Sequence, residues 1–154
     1  MANCIFCDIL AGRAPASFVY RDDRLAAFMD IRPVRTGQVL IIPHAHIDHF
    51  SDLPDDAALE IFQFGQRLAR AMRNSLELKR VGMVVHGFGV PHAHLVVLPL
   101  LEGPDITSAQ NAVLVDGEVR FRWEQVPLAP RAELEQTAQE LRTALGKVGD
   151  VSAR

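Results

Sequence analysis

The stretch VPHAHLVVLP, residues 90–99, decides the fold of this chain because it places two histidines at alternate positions of an apolar run. Side chains two residues apart in an extended strand project from the same face. We therefore expect a strand over 92–98 in which His92 and His94 share one environment, with Ala93 and Leu95 packed behind them. Two interpretations remain open here. The pair is either held in the core by hydrogen bonds or a metal ion, or it performs chemistry.

Hydrophobic periodicity and turn residues elsewhere predict an α+β fold, an antiparallel sheet of about five strands with flanking helices. Up to residue 100 the predicted elements are a helix over 4–12, strands over 18–21, 25–28, 37–43, 81–85 and 92–98, and an amphipathic helix over 54–77. The apolar stripe of that long helix consists of Ala58, Ile61, Gly65, Leu68 and Met72. Its arginines, Arg67 among them, lie off the stripe and are expected to face solvent.

Beyond residue 100 the sequence predicts a β-hairpin and a last helix that begins at Pro130. The hairpin joins 112–115 to 118–123 through Asp116-Gly117, a strong signal for a two-residue turn. Alternation along both strands predicts one apolar face, formed by Val113, Val115, Val119, Phe121 and Trp123. Because an isolated hairpin is marginally stable in water, this face is expected to cover another part of the protein.

Length and composition predict a single domain over 1–154, with a core over 4–100 and a C-terminal extension over 101–154. The 154 residues carry a formal net charge of −3 and no stripe of Lys and Arg, which argues against nucleic-acid binding. No apolar run approaches the ~20 residues of a membrane span, and the N-terminus lacks the features of a signal peptide. We therefore expect a cytoplasmic protein without nucleic-acid or membrane partners.

Two cysteines, Cys4 and Cys7, stand in a Cys-x-x-Cys spacing that fits a disulfide, a redox pair or half of a metal site. A structural disulfide is disfavoured in the cytosol. A redox role would require a thioredoxin-like βαβ context, which does not follow Cys7. Metal binding is therefore the favoured functional interpretation, with free buried thiols as the alternative.

Four landmarks occur in a fixed order along the chain: CIFCDI at 4–9, AFMDIRP at 27–33, LIIPHAH at 40–46 and the histidine run. In these segments the chain resembles the histidine-triad (HIT) superfamily of nucleotide hydrolases and transferases, in particular its small Hint-like branch. Two departures stand out. The third histidine of the family's His-x-His-x-His pattern is Val96 here, and a short loop at 86–89 replaces an Asn and a longer Gly-Gln-Ser loop that contact phosphate.

The resemblance implies that His94 attacks the α-phosphorus of a nucleotide conjugate and forms a covalent nucleotidyl-histidine. Attack through Nε2 requires the proton on Nδ1, so we expect the backbone carbonyl of His92 to accept it. Val96 donates no hydrogen bond, and losing one donor at a developing charge costs about 2.7–4 kcal/mol, or roughly 10²–10³ in rate. Candidates for a replacement donor are His44, His46 and His86.

For the substrate, the resemblance implies that Asp30 accepts hydrogen bonds from the ribose hydroxyls of a purine nucleotide. The apolar residues that match the family's base-binding positions are Ile5, Phe6, Ile9, Phe28 and Ile31. Plain core packing is the better interpretation for at least half of these. His86 matches the phosphate-binding Asn of the family, although it equally fits a solvent-facing cap at a strand end.

The resemblance also implies a structural zinc site, formed by Cys4, Cys7, His46 and His92, that would fix the N-terminal helix to the sheet. His44 and His49 are expected to lie on the surface nearby. No organic cofactor is expected.

The relatives pair edge to edge into one continuous sheet, which implies a homodimer here. The hairpin is expected at the rim of the nucleotide pocket or at the dimer seam, anchored by Trp123. Arg120 and Arg122 would then either meet the phosphate or face solvent.

Three functions follow as hypotheses. The first is a hydrolase or phosphoramidase that acts on AMP-type conjugates through His94. The second is a nucleotide-binding protein whose catalysis is weakened by Val96 and the short loop. The third, a purely structural zinc module, leaves Asp30 without a purpose.

Overall fold

The computed structural model describes residues 4–87, 89–103, 105, 112–121 and 126–148. Its elements are α1 (Ile5–Leu10), β1 (Phe18–Arg21), β2 (Leu25–Met29), β3 (Val39–Pro43), a 3₁₀ turn (Phe50–Asp52), α2 (Asp55–Ser75), β4 (Arg80–Val84), β5 (Leu95–Leu100), β6 (Ala112–Val115), β7 (Glu118–Phe121) and α3 (Arg131–Lys147). Strands β1 to β5 form one antiparallel sheet in the order β1-β2-β3-β5-β4, and β6 pairs with β7. The predicted α+β architecture is confirmed.

The predicted strand over 92–98 is wrong at its start, because β5 begins only at Leu95. The backbone before it bonds outside the ladder. Ala93 N–H donates to the carbonyl of Ile47 at 2.6 Å, and His92 N–H donates to Val90 at 2.8 Å. Both histidines therefore lie in a short extended segment that leads into β5. Their rings still share one neighbour, since the Phe6 ring lies 5.8 Å from that of His92 and 5.5 Å from that of His94.

The sheet has a different apolar cluster on each face. The larger cluster fills the space between the sheet and helices α2 and α3. It includes Ala93 and Leu95 as predicted, and also Val97 and the α3 residues Leu134, Ala138 and Leu141. The smaller cluster lies under α1 and includes Phe6, Ile9, Phe28 and Ile42. Because side chains alternate along an extended chain, the histidines lie on the α1 face.

Helix α2 buries the predicted stripe and approaches the sheet closely at Gly65. A Cβ atom built there would lie 2.9 Å from Leu95 Cδ2, which only glycine avoids. The prediction for Arg67 is wrong. Its guanidinium lies over the rings of Tyr20 and Phe64, at 5.4 and 5.1 Å, because a long arginine covers apolar surface with its stem. Among the described residues, no helix is long and apolar enough to cross a membrane.

The hairpin turn is confirmed, with positive φ at Asp116 and Gly117, but the predicted faces are wrong. The two-residue turn pairs Leu114 with Val119 and Val113 with Arg120. Paired residues share a face in an antiparallel ladder, so Val113 lies on the side of Arg120 and not of Val119. Leu114 and Val119 form an exposed apolar pair, at 75% and 62% accessibility. Arg122 and Trp123 lie outside the described residues, and Arg120 forms an ion pair with Glu118 at 3.3 Å.

Candidate active site

His94 lies at the entrance to β5 with its ring oriented by its own backbone. Its Nδ1 is 2.7 Å from the carbonyl oxygen of His92. A carbonyl only accepts hydrogen bonds, so this contact fixes the proton on Nδ1 and leaves the lone pair of the neutral ring on Nε2. His94 is buried, with 9% of its surface accessible. This is the tautomer required of a nucleophile that attacks through Nε2.

His92 is fully buried, and its ring is held in the opposite tautomer to that of His94. Nε2 lies 2.9 Å from the carbonyl oxygen of Pro43, so Nε2 carries the proton and Nδ1 carries the lone pair. Burial lowers the pKa of His92 below its usual value, although the Pro43 carbonyl acts in the other direction. The charges of His46 and His94 lower that pKa further. A neutral ring with its lone pair on Nδ1 is suited to bind a metal ion.

Cys4, Cys7, His46 and His92 come together as predicted, and their ligand atoms all lie within 4.8 Å of one another. The sulfur of Cys7 is 3.3 Å from His46 Nδ1 and 3.7 Å from His92 Nδ1. The sulfur of Cys4 is 3.6 Å from His92 Nδ1. Ligands on a tetrahedral zinc, with Zn–S about 2.3 Å and Zn–N about 2.0–2.1 Å, are separated by about 3.6 Å. The four side chains therefore fit one zinc ion.

Three parts of the chain meet at this cluster. Cys4 precedes the first residue of α1 and Cys7 lies in its first turn. His46 follows β3, and His92 precedes β5. Cys4 and His92 are buried whereas His46 is exposed, so the cluster lies at the edge of the protein. A metal ion here would join α1 to the segment that carries His94.

Asp30 follows β2 and holds its carboxylate in a fixed position. Its Oδ1 accepts a hydrogen bond from the backbone N–H of Arg32 at 2.8 Å, and its Oδ2 accepts one from the Gln38 side-chain amide at 2.6 Å. Asp30 is partly exposed, and each of its oxygens has the capacity for a further hydrogen bond. The carboxylate can accept two further hydrogen bonds from a vicinal diol.

The apolar residues predicted to hold a base divide into two groups. Phe6, Ile9 and Phe28 are buried in the cluster under α1, with 5%, 7% and 2% accessibility. Ile5 and Ile31 are exposed, at 48% and 47%. The first three therefore pack in the core, and only the exposed pair presents apolar surface to a ligand.

Val96 and His86 bear on how a phosphate would be held. Val96 is buried within β5, between Leu40 of β3 and Val84 of β4, and offers no polar atom. His86 follows β4 and is exposed overall. Partial desolvation of the His86 ring lowers its pKa, and the charge of His94 lowers it further. His86 thus has an electrostatic link to His94.

His44 and His49 have different surroundings. His49 is exposed as predicted, and its Nδ1 lies 2.8 Å from the Ser51 hydroxyl. His44 is half-buried, with its Nε2 atom enclosed, so the prediction that it lies on the surface holds only in part.

The sequence did not identify two contacts around Asp30. Gln38 is a buried amide at the start of β3, and its only signal was a polar residue before the run VLIIP. The C-terminal extension also returns to this loop. Ala129 N–H donates to the carbonyl of Ile31 at 2.9 Å, and the Arg32 guanidinium donates to Val126 at 2.5 Å.

The family described as the HIT domain matches residues 11–103. The chain belongs to the HIT family. An uncharacterised HIT-like protein of Mycobacterium tuberculosis is 34% identical over 116 residues, which cover 72% of this chain and 81% of the relative. The adenosine 5′-monophosphoramidase HNT1 of Saccharomyces cerevisiae is 33% identical over 100 residues, which cover 64% of this chain and 63% of that protein.

Solved structures of HIT proteins share the fold over nearly the whole chain. A zinc-bound histidine triad family protein from Mycobacterium smegmatis superposes with a TM-score of 0.72 and 27% identity. The match covers 95% of both chains. The likeness to this structure therefore extends beyond residue 103, where the HIT domain match ends.

Proposed function

We propose that this HIT protein is a nucleotide hydrolase or phosphoramidase that acts on AMP-type conjugates. The proposal rests chiefly on the 2.7 Å contact between His94 Nδ1 and the carbonyl of His92, which sets the tautomer for attack through Nε2. Family membership and the yeast adenosine 5′-monophosphoramidase support the substrate class. Asp30, with one hydrogen bond to each carboxylate oxygen, is the proposed acceptor for the ribose hydroxyls.

In the proposed reaction, the Nε2 lone pair of His94 attacks the α-phosphorus of an adenosine phosphoramidate. The new N–P bond forms as the bond from phosphorus to the leaving amine breaks, and the amine departs with a proton from a donor or from water. Water then attacks the same phosphorus and releases AMP and free His94. The carbonyl of His92 stabilises the positive charge that develops on the ring. In this scheme the ring of His92 acts through the metal cluster and its carbonyl acts on His94.

The substitution of Val96 for histidine removes one donor from the phosphoryl group, so another group must supply it or the rate is reduced. We propose that His86 replaces this donor only in part, because it matches the phosphate-binding Asn of the family and its pKa is lowered by burial and by the charge of His94. His44 and His46 are weaker candidates, since His44 is half-buried and His46 belongs to the metal cluster.

We also propose that Cys4, Cys7, His46 and His92 bind a structural zinc ion. The ligand separations fit tetrahedral coordination, and the relative from M. smegmatis is zinc-bound. Zinc would supply only structural stabilisation, because protein side chains fill all four coordination positions and no position is left for substrate.

A second candidate function is a nucleotide-binding protein with little catalysis. Val96 favours it, because a buried valine leaves the phosphoryl group with one donor fewer. In that case His94 would contact phosphate without forming a lasting bond. Its cytoplasmic location, the absence of nucleic-acid partners and the pairing into homodimers remain predictions for either function.

The two functions differ in whether a covalent intermediate forms. The protein is mixed with adenosine 5′-phosphoramidate, quenched within the first turnover, and analysed by mass spectrometry for adenylylated peptide. We expect a burst and a label on His94, which is lost in His94→Ala and retained in the matched control His49→Ala. Tight AMP binding without any label would contradict the enzyme and support the binding protein.

A further inference from the structure

Gln38 has a buried side chain, and both the oxygen and the nitrogen of its amide form hydrogen bonds. It precedes β3, and only 6% of its surface is accessible. Its backbone is equally fixed, because its N–H donates to the Arg35 carbonyl at 3.1 Å and its own carbonyl accepts from Asp30 N–H at 3.0 Å. Gln38 and Asp30 therefore hold each other through both main chain and side chain.

The orientation of this amide follows from its partners. The backbone N–H of Val34 donates to the side-chain oxygen of Gln38 at 3.0 Å. Since a backbone N–H only donates, that atom is the oxygen, and the other end of the amide must be the NH₂ group. The NH₂ group donates to Oδ2 of Asp30 at 2.6 Å. The amide is thus fixed as a donor toward the carboxylate.

The Asp30 carboxylate is held from both sides as a result. Oδ2 is held by Gln38, and Oδ1 is held by the backbone N–H of Arg32 at 2.8 Å. Each carboxylate oxygen accepts about two hydrogen bonds, so one acceptor site per oxygen stays available. Two acceptors fixed in one plane match the two hydroxyls of a ribose 2′,3′-diol.

We propose that Gln38 is the positioning residue that sets Asp30 for recognition of the ribose diol. This inference rests on the proposed function, because it assumes that Asp30 binds a ribonucleotide. Gln38 does not touch the substrate. It fixes the carboxylate plane, so no ordering cost arises when the diol binds. The site then selects nucleotides with both hydroxyls free over deoxy forms.

The loop that contains Gln38 is itself anchored at Arg35. The Arg35 guanidinium donates twice to the buried carboxylate of Asp105, at 2.8 and 2.9 Å. The Arg35 carbonyl receives the N–H of Gln38. A chain of hydrogen bonds therefore runs from Asp105, after β5, through Arg35 and Gln38 to Asp30.

The test compares the affinities of AMP and 2′,3′-dideoxy-AMP for wild type and two variants. Gln38→Met keeps the length of the side chain and removes both hydrogen bonds. Gln38→Leu also removes both hydrogen bonds, with a shorter apolar side chain. Leu141→Ala, in the core of α3, is the control for a general loss of stability.

We expect wild type and Leu141→Ala to prefer AMP over the dideoxy nucleotide by about tenfold or more. In both Gln38 variants this preference should fall toward onefold, while affinity for the dideoxy nucleotide stays the same. With adenosine phosphoramidate as substrate, KM should rise and kcat should change little, because the lost contact acts on bound substrate and transition state alike.

The outcomes separate this inference from the proposed function. If wild type binds AMP and prefers the diol, but folded Gln38 variants keep that preference, the role of Gln38 is overturned and the proposed function stands. If wild type binds neither nucleotide, both are overturned. If Gln38→Met does not fold, the ratio measured for Gln38→Leu decides alone.

Discussion

At position 96 the chain carries an isopropyl group beside the proposed phosphoryl site. Val96 lies on the same face as His94 because the two positions are two residues apart. A valine cannot stabilise charge that develops on the phosphoryl oxygens or on the leaving group. Restoring a donor should therefore speed the chemical step. We expect Val96→His to raise the single-turnover rate constant for adenosine phosphoramidate by about 10²-fold.

Val97→Thr is the matched control for this substitution, since Val97 is its buried neighbour on the opposite face of β5. That variant should lose stability without gaining rate. A Val96→His protein that is folded and no faster would contradict the prediction and indicate that His86 already supplies the donor.

Individual residues differ in how far the sequence could predict them. The proton on His94 Nδ1 and its acceptor were predictable, because the tautomer follows from the proposed chemistry and the carbonyl lies two residues away. The role of Gln38 was not, because one buried amide before an apolar strand leaves no periodic signal. Phe6 and Ile9 of α1 pack with Phe28 in the smaller apolar cluster, and no local pattern distinguishes a core phenylalanine from a ligand-binding one.

At the level of elements, Asp105 connects the segment after β5 to the loop between β2 and β3. Its carboxylate accepts two bonds from Arg35 and one each from the N–H groups of Leu101 and Glu102. The Arg35 guanidinium is the main cause that lowers the pKa of Asp105 to about 2, from the usual 3.8. The folded state therefore binds the proton of Asp105 less tightly than the unfolded state.

This pKa sets a pH window for stability. A lowered folded-state pKa stabilises the fold above about pH 3.8, and the contribution is lost as the pH falls through about 2. We expect Asp105→Asn to lower the free energy of unfolding by about 1–3 kcal/mol at pH 7. The difference from wild type should shrink between pH 4 and pH 2, as measured by urea denaturation.

Asp48→Asn, at an exposed aspartate, is the control and should change stability by less than about 0.5 kcal/mol. An unchanged difference between Asp105→Asn and wild type at pH 2 would contradict this account of Asp105.

Helix α1 is a six-residue element, and helices this short are marginal without tertiary support. No side chain caps its first turn, and its attachment depends on Phe6, Ile9 and the proposed zinc ion. We expect about one zinc per chain by elemental analysis. Removal with a chelator, or Cys4→Ser, should lower Tm by several degrees.

Adding zinc back to the chelated wild type should restore Tm, whereas Cys4→Ser should not respond. A zinc-free wild type with the same Tm in chelator would mean that the two thiols pack as buried cysteines without a metal.

The sequence predicted well those elements that carry a strong local signal, either a repeated apolar spacing or a characteristic turn pair. Helix α2 followed its apolar stripe, and the hairpin turn followed Asp116-Gly117. The sequence did not predict the start of β5 or the faces of the hairpin. Both depend on which backbone groups pair by hydrogen bonds, and the sequence pattern does not show that pairing. Arg67 was missed for a related reason, since Tyr20 of β1 supplies the ring that it covers and lies 47 positions earlier.

At the level of the whole molecule, the C-terminal extension is part of the core and reaches the candidate site. Leu134, Ala138 and Leu141 share the main apolar cluster with the sheet. The segment before α3 bonds to Ile31 and Arg32, next to Asp30. These contacts support our proposal that residues 1–154 form one domain. They place the segment before α3 beside the proposed ribose-binding residue Asp30, and they do not require the hairpin to contact the nucleotide.

The two edges of the five-stranded sheet differ in ways that favour one of them for dimerisation. On β1, the Arg142 guanidinium of α3 binds the carbonyl of Phe18. On the other side, β4 is the edge strand, and Leu59 and Phe62 of α2 are exposed at 59% and 41%. Pairing of two β4 strands would extend the sheet across both subunits and cover apolar side chains of α2.

We therefore expect a homodimer through β4 and α2, detected by light scattering at micromolar concentration. Phe62→Glu should give a folded monomer, because the side chain is largely exposed within one subunit and loses there only its edge-on contact with the Phe50 ring. Leu114→Glu, at the exposed face of the hairpin, should remain dimeric if the seam is formed by β4. Dissociation of that variant would instead assign the seam to the hairpin, and a monomeric wild type would contradict the dimer itself.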